Sequence, residues 1–438
     1  MLAHGARWVH SPRQQWAMPM FAALAVFACL AGLSPTAAAQ PQPEATAPLE
    51  WKSLERGVLR NHVQLTKREE FVKAGEAYFS PDGNWIIFQA VPVPEEGKEA
   101  SPFYAMYVAK LKRDRFTGLV TGVETPIRVS PEGSANTCGW FAPADPKSPM
   151  TFEVLFGSTV QPPRDEAKSG FQVGTRKYVW MFPDEMEIVT ARIGQQLAVD
   201  QSPDGKRTEV VTYKASDAKP LFTRPNYDAE GSWSPDGRFV LYAHIEDRKE
   251  GQKPDANLYI YDTQTKKQHA LVTAKGYDGG PFFSPDGKSI CYRSDRKGND
   301  LLQLFVADLK LKDGVPVGIT REYQLTDNEH VNWCPYWHPS GKYLVYGTSE
   351  VSHGNYEVFA IECDMDALRR GRDPKSLKHV RITQASGADI LPSFSPDGNL
   401  MMWTSQRGPK IQSEEKASSQ LWIAEWVGNP LAAEKAKP

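Results

Sequence analysis

Six residues ahead of each of six similar turns stand Ala74, Asn136, Asp228, Asp278, Asn332 and Asp389, so five of the six positions are Asp or Asn. Two positions further on come Glu76 and Glu230. Such side chains either cap their own loops by bonding backbone N–H groups or, gathered around one opening, form an acidic funnel. A funnel of this kind favours a cation, a basic peptide segment or a polar saccharide. The candidate binding set at a channel mouth is therefore Glu76, Asn136, Asp228, Glu230, Asp278, Asn332 and Asp389. A second constellation, His330, Cys334 and His338, recurs at intervals of four and offers metal-ligating atom types. On a strand, positions i and i+4 point to one side, which would let His330 and Cys334 share a site. His338 falls in the turn itself and no acidic ligand accompanies the set, so core packing is the expectation and no metal is assigned. The chain has no H-E-x-x-H, paired C-x-x-C or G-x-S-x-G motif, and Gly287-Lys288-Ser289 has Phe282 where a P-loop needs glycine. No catalytic residue and no cofactor is expected.

The elements that must position these residues follow from an internal repeat. The string SPDG begins at Ser80, Ser202, Ser234, Ser284 and Ser395, with degenerate forms at Ala142 (APAD) and His338 (HPSG). Pro presets φ, Asp accepts local backbone bonds and Gly takes the positive φ, so each is a tight turn. Before the turn stands an aromatic residue (Phe79, Phe141, Trp233, Phe283, Trp337, Phe394), and two residues earlier a small residue or Pro. After it comes a β-rich run such as WIIF or FVLY, then a third strand, then a short fourth strand ending in Thr or Ser: Thr66, Ser130, Thr223, Thr273, Thr326 and Thr383. From each of these to the next turn the gap is 11 to 14 residues. Ser202 lacks the aromatic, having Gln201 there, and precedes the next turn by only 32 residues, so it reads as a hairpin inside an enlarged second unit.

Six units averaging about 63 residues exceed the ~40 that a four-stranded blade needs, so long loops must project from the rims. The first recognisable strand, Val63 to Thr66, is of the fourth type, and the last unit stops after its third strand at Trp426. Pairing these two closes a ring and removes its open edges. The expectation is an all-β six-bladed β-propeller of four-stranded antiparallel blades, closed by an N-terminal strand that completes the last blade, with seven blades as the alternative.

Composition bounds the rest. In 438 residues, 51 Lys and Arg face 53 Asp and Glu with no basic block, which argues against nucleic-acid binding. Arg7 and Arg13 precede the apolar run Ala17 to Leu33 and the small residues Ala37 to Ala39, the pattern of a signal peptide cut before Gln40. The expected layout is signal peptide 1–39, linker and short helix 40–60, propeller 61–427 and disordered tail 428–438, with no integral membrane span after cleavage. Cys138, Cys291, Cys334 and Cys363 are too few for a disulfide scaffold and read as buried thiols. A periplasmic or secreted monomer is expected.

Segments such as EAYFSPDG at Glu76, YDAEGSWSPDG at Tyr227 and NWCPYWHPSG at Asn332 resemble the PD40 (WD40-like) repeats of TolB-like exported propellers and of prolyl oligopeptidase-type peptidases. The resemblance covers about residues 60 to 426 and implies a periplasmic binding or scaffold protein. TolB proper has an α/β domain before its propeller, whereas 23 residues separate the predicted cleavage from the first strand, so a direct part in Tol–Pal assembly is not expected. The leading functional reading is a non-enzymatic exported scaffold that binds a protein or cell-envelope component through rim loops and an acidic channel mouth. The alternative is a metal-dependent propeller enzyme, a lyase or hydrolase acting on carbohydrate.

Overall fold

The SPDG segments at Ser80, Ser234, Ser284 and Ser395 close their hairpins by one set of hydrogen bonds. The serine hydroxyl donates to the aspartate two residues on and accepts the N–H of the residue five on, as in Ser234 to Asp236 (2.5 Å) and Phe239 N–H to Ser234 (2.9 Å). The turn glycine donates back to the serine carbonyl, with φ near +70° at Gly83, Gly237, Gly287 and Gly398. The computed structural model describes residues 51–432 except 149, 165–169, 173–176, 180–181, 202–206 and 247–254. The expected signal peptide, linker residues 40–50, the Ser202 turn and tail residues 433–438 lie outside the described residues.

Six antiparallel sheets follow in chain order and form a six-bladed propeller, as expected. The innermost strands are Phe71–Phe79, Asn136–Phe141, Asp228–Trp233, Asp278–Phe283, Asn332–Trp337 and Asp389–Phe394. Each lies against the innermost strand of the next blade, and the sixth lies against the first. No seventh blade forms at Ser202: Glu187–Gln201 and Arg207–Ala215 pair with each other as the third and fourth strands of blade two, down to Gln201 opposite Arg207. The ring closes where the last blade lacks a strand. Leu59–Gln64 pairs antiparallel with Gln420–Trp426, placing Val63 opposite Ile423.

Thr223 and Thr273 are exposed, but in the other four blades the Thr or Ser that ends the fourth strand has a mechanical role. Its hydroxyl accepts an N–H from the neighbouring third strand, as Thr66 does from Leu421, Ser130 from Met106, Thr326 from Leu304 and Thr383 from Val358, at 2.8–3.0 Å. The aromatic before each turn packs into the preceding blade: Phe79 against Leu400 and Met402, Phe283 against Phe239 and Leu241, Trp337 against Leu304, and Phe394 against Tyr343 and Val345. The small residue two earlier permits that approach. A Cβ on Gly139 would stand 2.5 Å from Ile87 Cδ1 of blade one. A short helix, Trp51–Glu55, precedes the closing strand. Among the described residues no helix is long and apolar enough to cross a membrane.

Candidate functional site

Four residues before its turn, every innermost strand enters the left-handed region: Glu76 (φ 44°), Cys138 (50°), Glu230 (60°), Gly280 (57°), Cys334 (50°) and Leu391 (55°). At the same point the register with the second strand shifts in all six blades. These are β-bulges, each inserting one residue and breaking the two-residue alternation. Strand alternation therefore does not carry from Asp228 to Glu230, nor from His330 to Cys334. The bulges bring Glu76, Cys138, Glu230 and Cys334 together around an axial cavity of about 20 Å³, room for one water.

A single cation serves this cluster. Gly280 has no side chain, and the Arg293 guanidinium fills the space where its Cβ would stand. From there Arg293 Nη2 donates to Glu230 Oε2 (3.1 Å) and to the Tyr277 hydroxyl (2.8 Å). Glu230 also accepts from Tyr277 O–H and Gly280 N–H, both at 2.5 Å. Burial pushes the Glu76 carboxyl above its usual range, although Cys138 and Tyr78 donate to it. Burial and the Glu76 and Glu230 charges push the Cys138 thiol well up, so it is a poor nucleophile. All four cysteines among the described residues are free.

Two residues further along, Tyr78, Trp140, Phe282 and Tyr336 meet across the axis with ring centroids 4.9–6.1 Å apart. Four blades thus close the channel with an aromatic plug, and ties of this kind add about 0.5–1.5 kcal/mol each beyond area burial.

The Asp and Asn positions lie at the start of the innermost strands, but their side chains are buried in internal contacts. Each stands opposite a small polar residue or a histidine on the second strand: Asn136 with Ser158, Asp228 with His244, Asp278 with Ser294, Asn332 with Thr348 and Asp389 with Ser405. In the blade where the Asx is missing, Ala74 stands opposite Ala90. His244 Nδ1 lies 2.9 Å from Asp228, and Thr348 donates to Asn332 (3.1 Å). Arg296 pairs with Asp278 (3.2 Å) and Arg407 with Asp389 (2.6 Å). Both arginines stand twelve residues after their turn serine, a regularity the sequence carried and the motif reading missed.

The same ring reaches backward across the blade seams. Asn136 donates to the Tyr104 carbonyl of blade one (2.8 Å), and Asn332 to Gln303 of blade four (3.1 Å). At two seams a carboxylate faces a carboxylate. Burial and Asp228 push Glu187 up to about 7, and burial and Asp389 push Glu357 up to about 8. A raised acid holds a proton that the unfolded chain has released, so its stabilising contribution is present below pH ~4.5 and is lost as pH rises through 7. Glu187→Gln should therefore leave acid stability unchanged and raise stability at pH 8 by on the order of 1 kcal/mol, discounted because Glu187 is only half-buried. Melting curves from pH 4 to 8.5 check this; parallel profiles for the two proteins would contradict it.

The His330, Cys334 and His338 set does not converge. His330 precedes its strand, Cys334 accepts the Leu391 N–H at the axis (3.1 Å), and His338 stacks on Tyr343 at 4.4 Å in the turn. Among the described residues no three His, Cys, Asp or Glu side chains are placed to hold a metal ion.

On the face that carries the turns, blade two extends an arm. Its third strand pairs with the second strand only up to Gly194, opposite Thr151, and continues to Gln201 paired with Arg207–Ala215 alone. Leu197, Val199 and Val211 are 73%, 63% and 49% exposed, and Leu197 lies opposite Val211. Met150, 56% exposed, accepts the Gln195 N–H at the foot of the arm.

Compared with models of known protein families, the chain matches none. It is 38% identical to dipeptidyl-peptidase 5 of Porphyromonas gingivalis over 112 residues, 24% of this chain and 16% of that protein. It is 30% identical to the Tol-Pal system protein TolB of Francisella tularensis over 84 residues, 19% of this chain and 18% of that one. The crystal structure of TolB from Acinetobacter baumannii aligns with 80% of this chain and 65% of its own, at 15% identity and a TM-score of 0.41. The matches span about half the length or less of these curated relatives. By its own fold the chain is a six-bladed β-propeller, and over 84 of its residues it is similar to TolB.

Proposed function

We propose that the protein is an exported, periplasmic scaffold that binds a protein or cell-envelope component through its rim, with the blade-two arm as the principal contact. The observation that carries this reading is the exposed apolar face of Leu197, Val199 and Val211 beside Met150. Apolar side chains scattered singly over a surface need no explanation, whereas a contiguous group on a projecting ribbon is the signature of a protein contact. The plug and the internal bonds of the Asp and Asn ring support a rigid platform behind it, and surface segments on such a platform are where binding resides. Similarity to a Tol-Pal system protein supports placement in the envelope. The triple substitution Leu197→Asp, Val199→Asp and Val211→Asp should weaken partner binding at least about tenfold. It should leave the melting temperature within a few degrees of wild type, because none of the three sites is buried. Partner binding unchanged in a folded triple variant would remove the arm from the account.

A further inference from the structure

The blade-two arm carries a free strand edge as well as an apolar face. Along Glu187–Gln201, alternate residues turn their N–H and C=O groups to opposite neighbours. Arg192 C=O accepts the Ser216 N–H just beyond Arg207–Ala215 (2.8 Å), so the even-numbered residues face the outer strand. Gln195 N–H donates to the Met150 carbonyl (3.0 Å), so the odd-numbered residues face the inner one. That inner strand, Thr151–Ser158, reaches only to Gly194, opposite Thr151. Beyond it the N–H and C=O groups of Leu197 and Val199 point past the end of the ladder, and among the described residues no strand pairs with them there.

Such an edge is a template for another strand, and native proteins blunt it with charge, proline or a covering element. From Gln195 to Val199 the arm carries no charge and no proline. The edge also runs beside a one-sided apolar row. Leu197, Val199 and Val211 share a face, and the row ends at Tyr213, which lies opposite Gln195 and packs on Trp85 of blade one at 4.7 Å. The other face has Gln196, Ala198 and Thr212. A strand laid on this edge matches it when its side chains alternate, apolar beside Leu197 and Val199 and polar between. Antiparallel to the arm, it runs from tip to body in line with Thr151–Ser158 and meets the exposed Met150. A second copy of the chain offers the same edge, but the overlap is confined to Gln195–Gln201, too few residues to bury the ~1,000 Å² of a stable interface. A flexible segment has no such limit, because it can continue past Met150 over the face that carries the turns.

We propose that the arm takes its partner by strand addition: the partner supplies an extended segment of about five residues, apolar at alternate positions, that pairs antiparallel with the backbone of Leu197 and Val199. This rests on the arm as the contact surface and adds backbone pairing to it.

The probe is a fluorescein-labelled peptide library, Lys-X-Thr-X-Thr-X-Lys with X drawn from Val, Ile, Leu and Phe, titrated against the full chain by fluorescence anisotropy. The tightest member should bind with a Kd below about 1 mM. Its X residues stand opposite Leu197 and Val199, so their amides face the arm and the Thr amides face solvent. N-methylation of the X amides should weaken binding at least about tenfold, and N-methylation of the Thr amides should leave it within about twofold. In the protein, Val199→Pro removes one edge N–H at a kind of site where strands tolerate proline, and should weaken binding at least about fivefold more than Val199→Ala, with both variants folded by circular dichroism. The proposal is overturned if no member of the library binds, if the two N-methylation patterns act alike, or if the two Val199 variants bind equally. Loss of binding in the Leu197→Asp, Val199→Asp and Val211→Asp variant without any effect of N-methylation would keep the arm as the contact and remove strand addition. Sedimentation of the unlabelled chain at about 100 μM should show a monomer, and a dimer that Val199→Pro dissociates would assign the edge to a second copy instead.

Discussion

Replacing Glu55 with alanine is expected to cost about 3–5 kcal/mol of stability, although the residue lies outside the repeat, in a five-residue helix ahead of the closing strand. The cost follows from what the carboxylate holds. Oε1 accepts the Gln384 N–H (2.7 Å) and Arg407 Nη2 (3.0 Å), while Oε2 accepts Arg407 Nη1 (2.9 Å) and lies 2.8 Å from His62 Nε2. Glu55 is 1% exposed, and the Arg407 side chain has no exposure at all. Arg407 sits over Trp51 at 4.2 Å and Trp403 at 4.9 Å, so water cannot replace the lost partner. Alanine would leave that guanidinium with one carboxylate, Asp389, and the Ser405 hydroxyl, and would leave the Gln384 N–H without its carboxylate. Burial alone would raise the Glu55 carboxyl, but the bonds from His62 and Arg407 outweigh it and hold the group below its usual range. Its contribution is therefore present near neutrality and lost as pH falls through the lowered value, and the alanine variant should show a flatter acid limb. Urea denaturation at pH 7 measures the difference; a loss under about 1 kcal/mol would mean that the N-terminal helix is not the anchor of the ring.

Gly280→Val should be about as damaging, through backbone and charge together. At φ +57° a β-branched residue is a genuine outlier, costing about 1–2 kcal/mol from conformation alone. Its Cβ would overlap the Arg293 guanidinium, which would have to leave Glu230 buried without its cation. Breaking such a pair costs about 3–5 kcal/mol. The same position in blade two offers the contrast. Cys138 also has a positive φ, and Cys138→Gly removes strain without displacing a charge, so even with the loss of its thiol donor to Glu76 it should cost no more than about 1–2 kcal/mol. Equal effects from the two substitutions would contradict the reading of Gly280 as the seat of Arg293. Denaturant midpoints for both variants decide it.

Much of the fold was legible because its information is local and repeated. Ser80, Ser234, Ser284 and Ser395 each carry a whole turn in four residues, and the strand type at Val63 was enough to predict ring closure against Leu421 to Trp426. The pairing begins earlier, at Leu59, because the helix and Glu55 extend the anchored segment. The bulges were not legible: the six residues concerned are Glu, Cys, Glu, Gly, Cys and Leu, and only Gly280 advertises a positive φ. Alternation counted across them misassigns faces, which is why Glu230 was placed with Asp228 and Cys334 with His330. The Asp and Asn positions were visible as a set, but their partners were not. Glu187, Gln303 and Glu357 sit in the preceding blade, and nothing in local spacing links them to Asp228, Asn332 and Asp389. The blade-two arm was legible as a hairpin, while the exposure of Leu197 and Val199 depends on where the second strand ends.

The claim that the arm is the contact surface is tested most directly by placing a photo-crosslinking amino acid at Leu197 and, as a control, at the exposed Phe116 in the blade-one hairpin. Irradiation in the native cell envelope should give a discrete adduct of one mass from position 197, none from position 116, and none when Val199→Asp and Val211→Asp accompany the probe. No adduct from position 197, or the same adducts from both positions, would contradict the account.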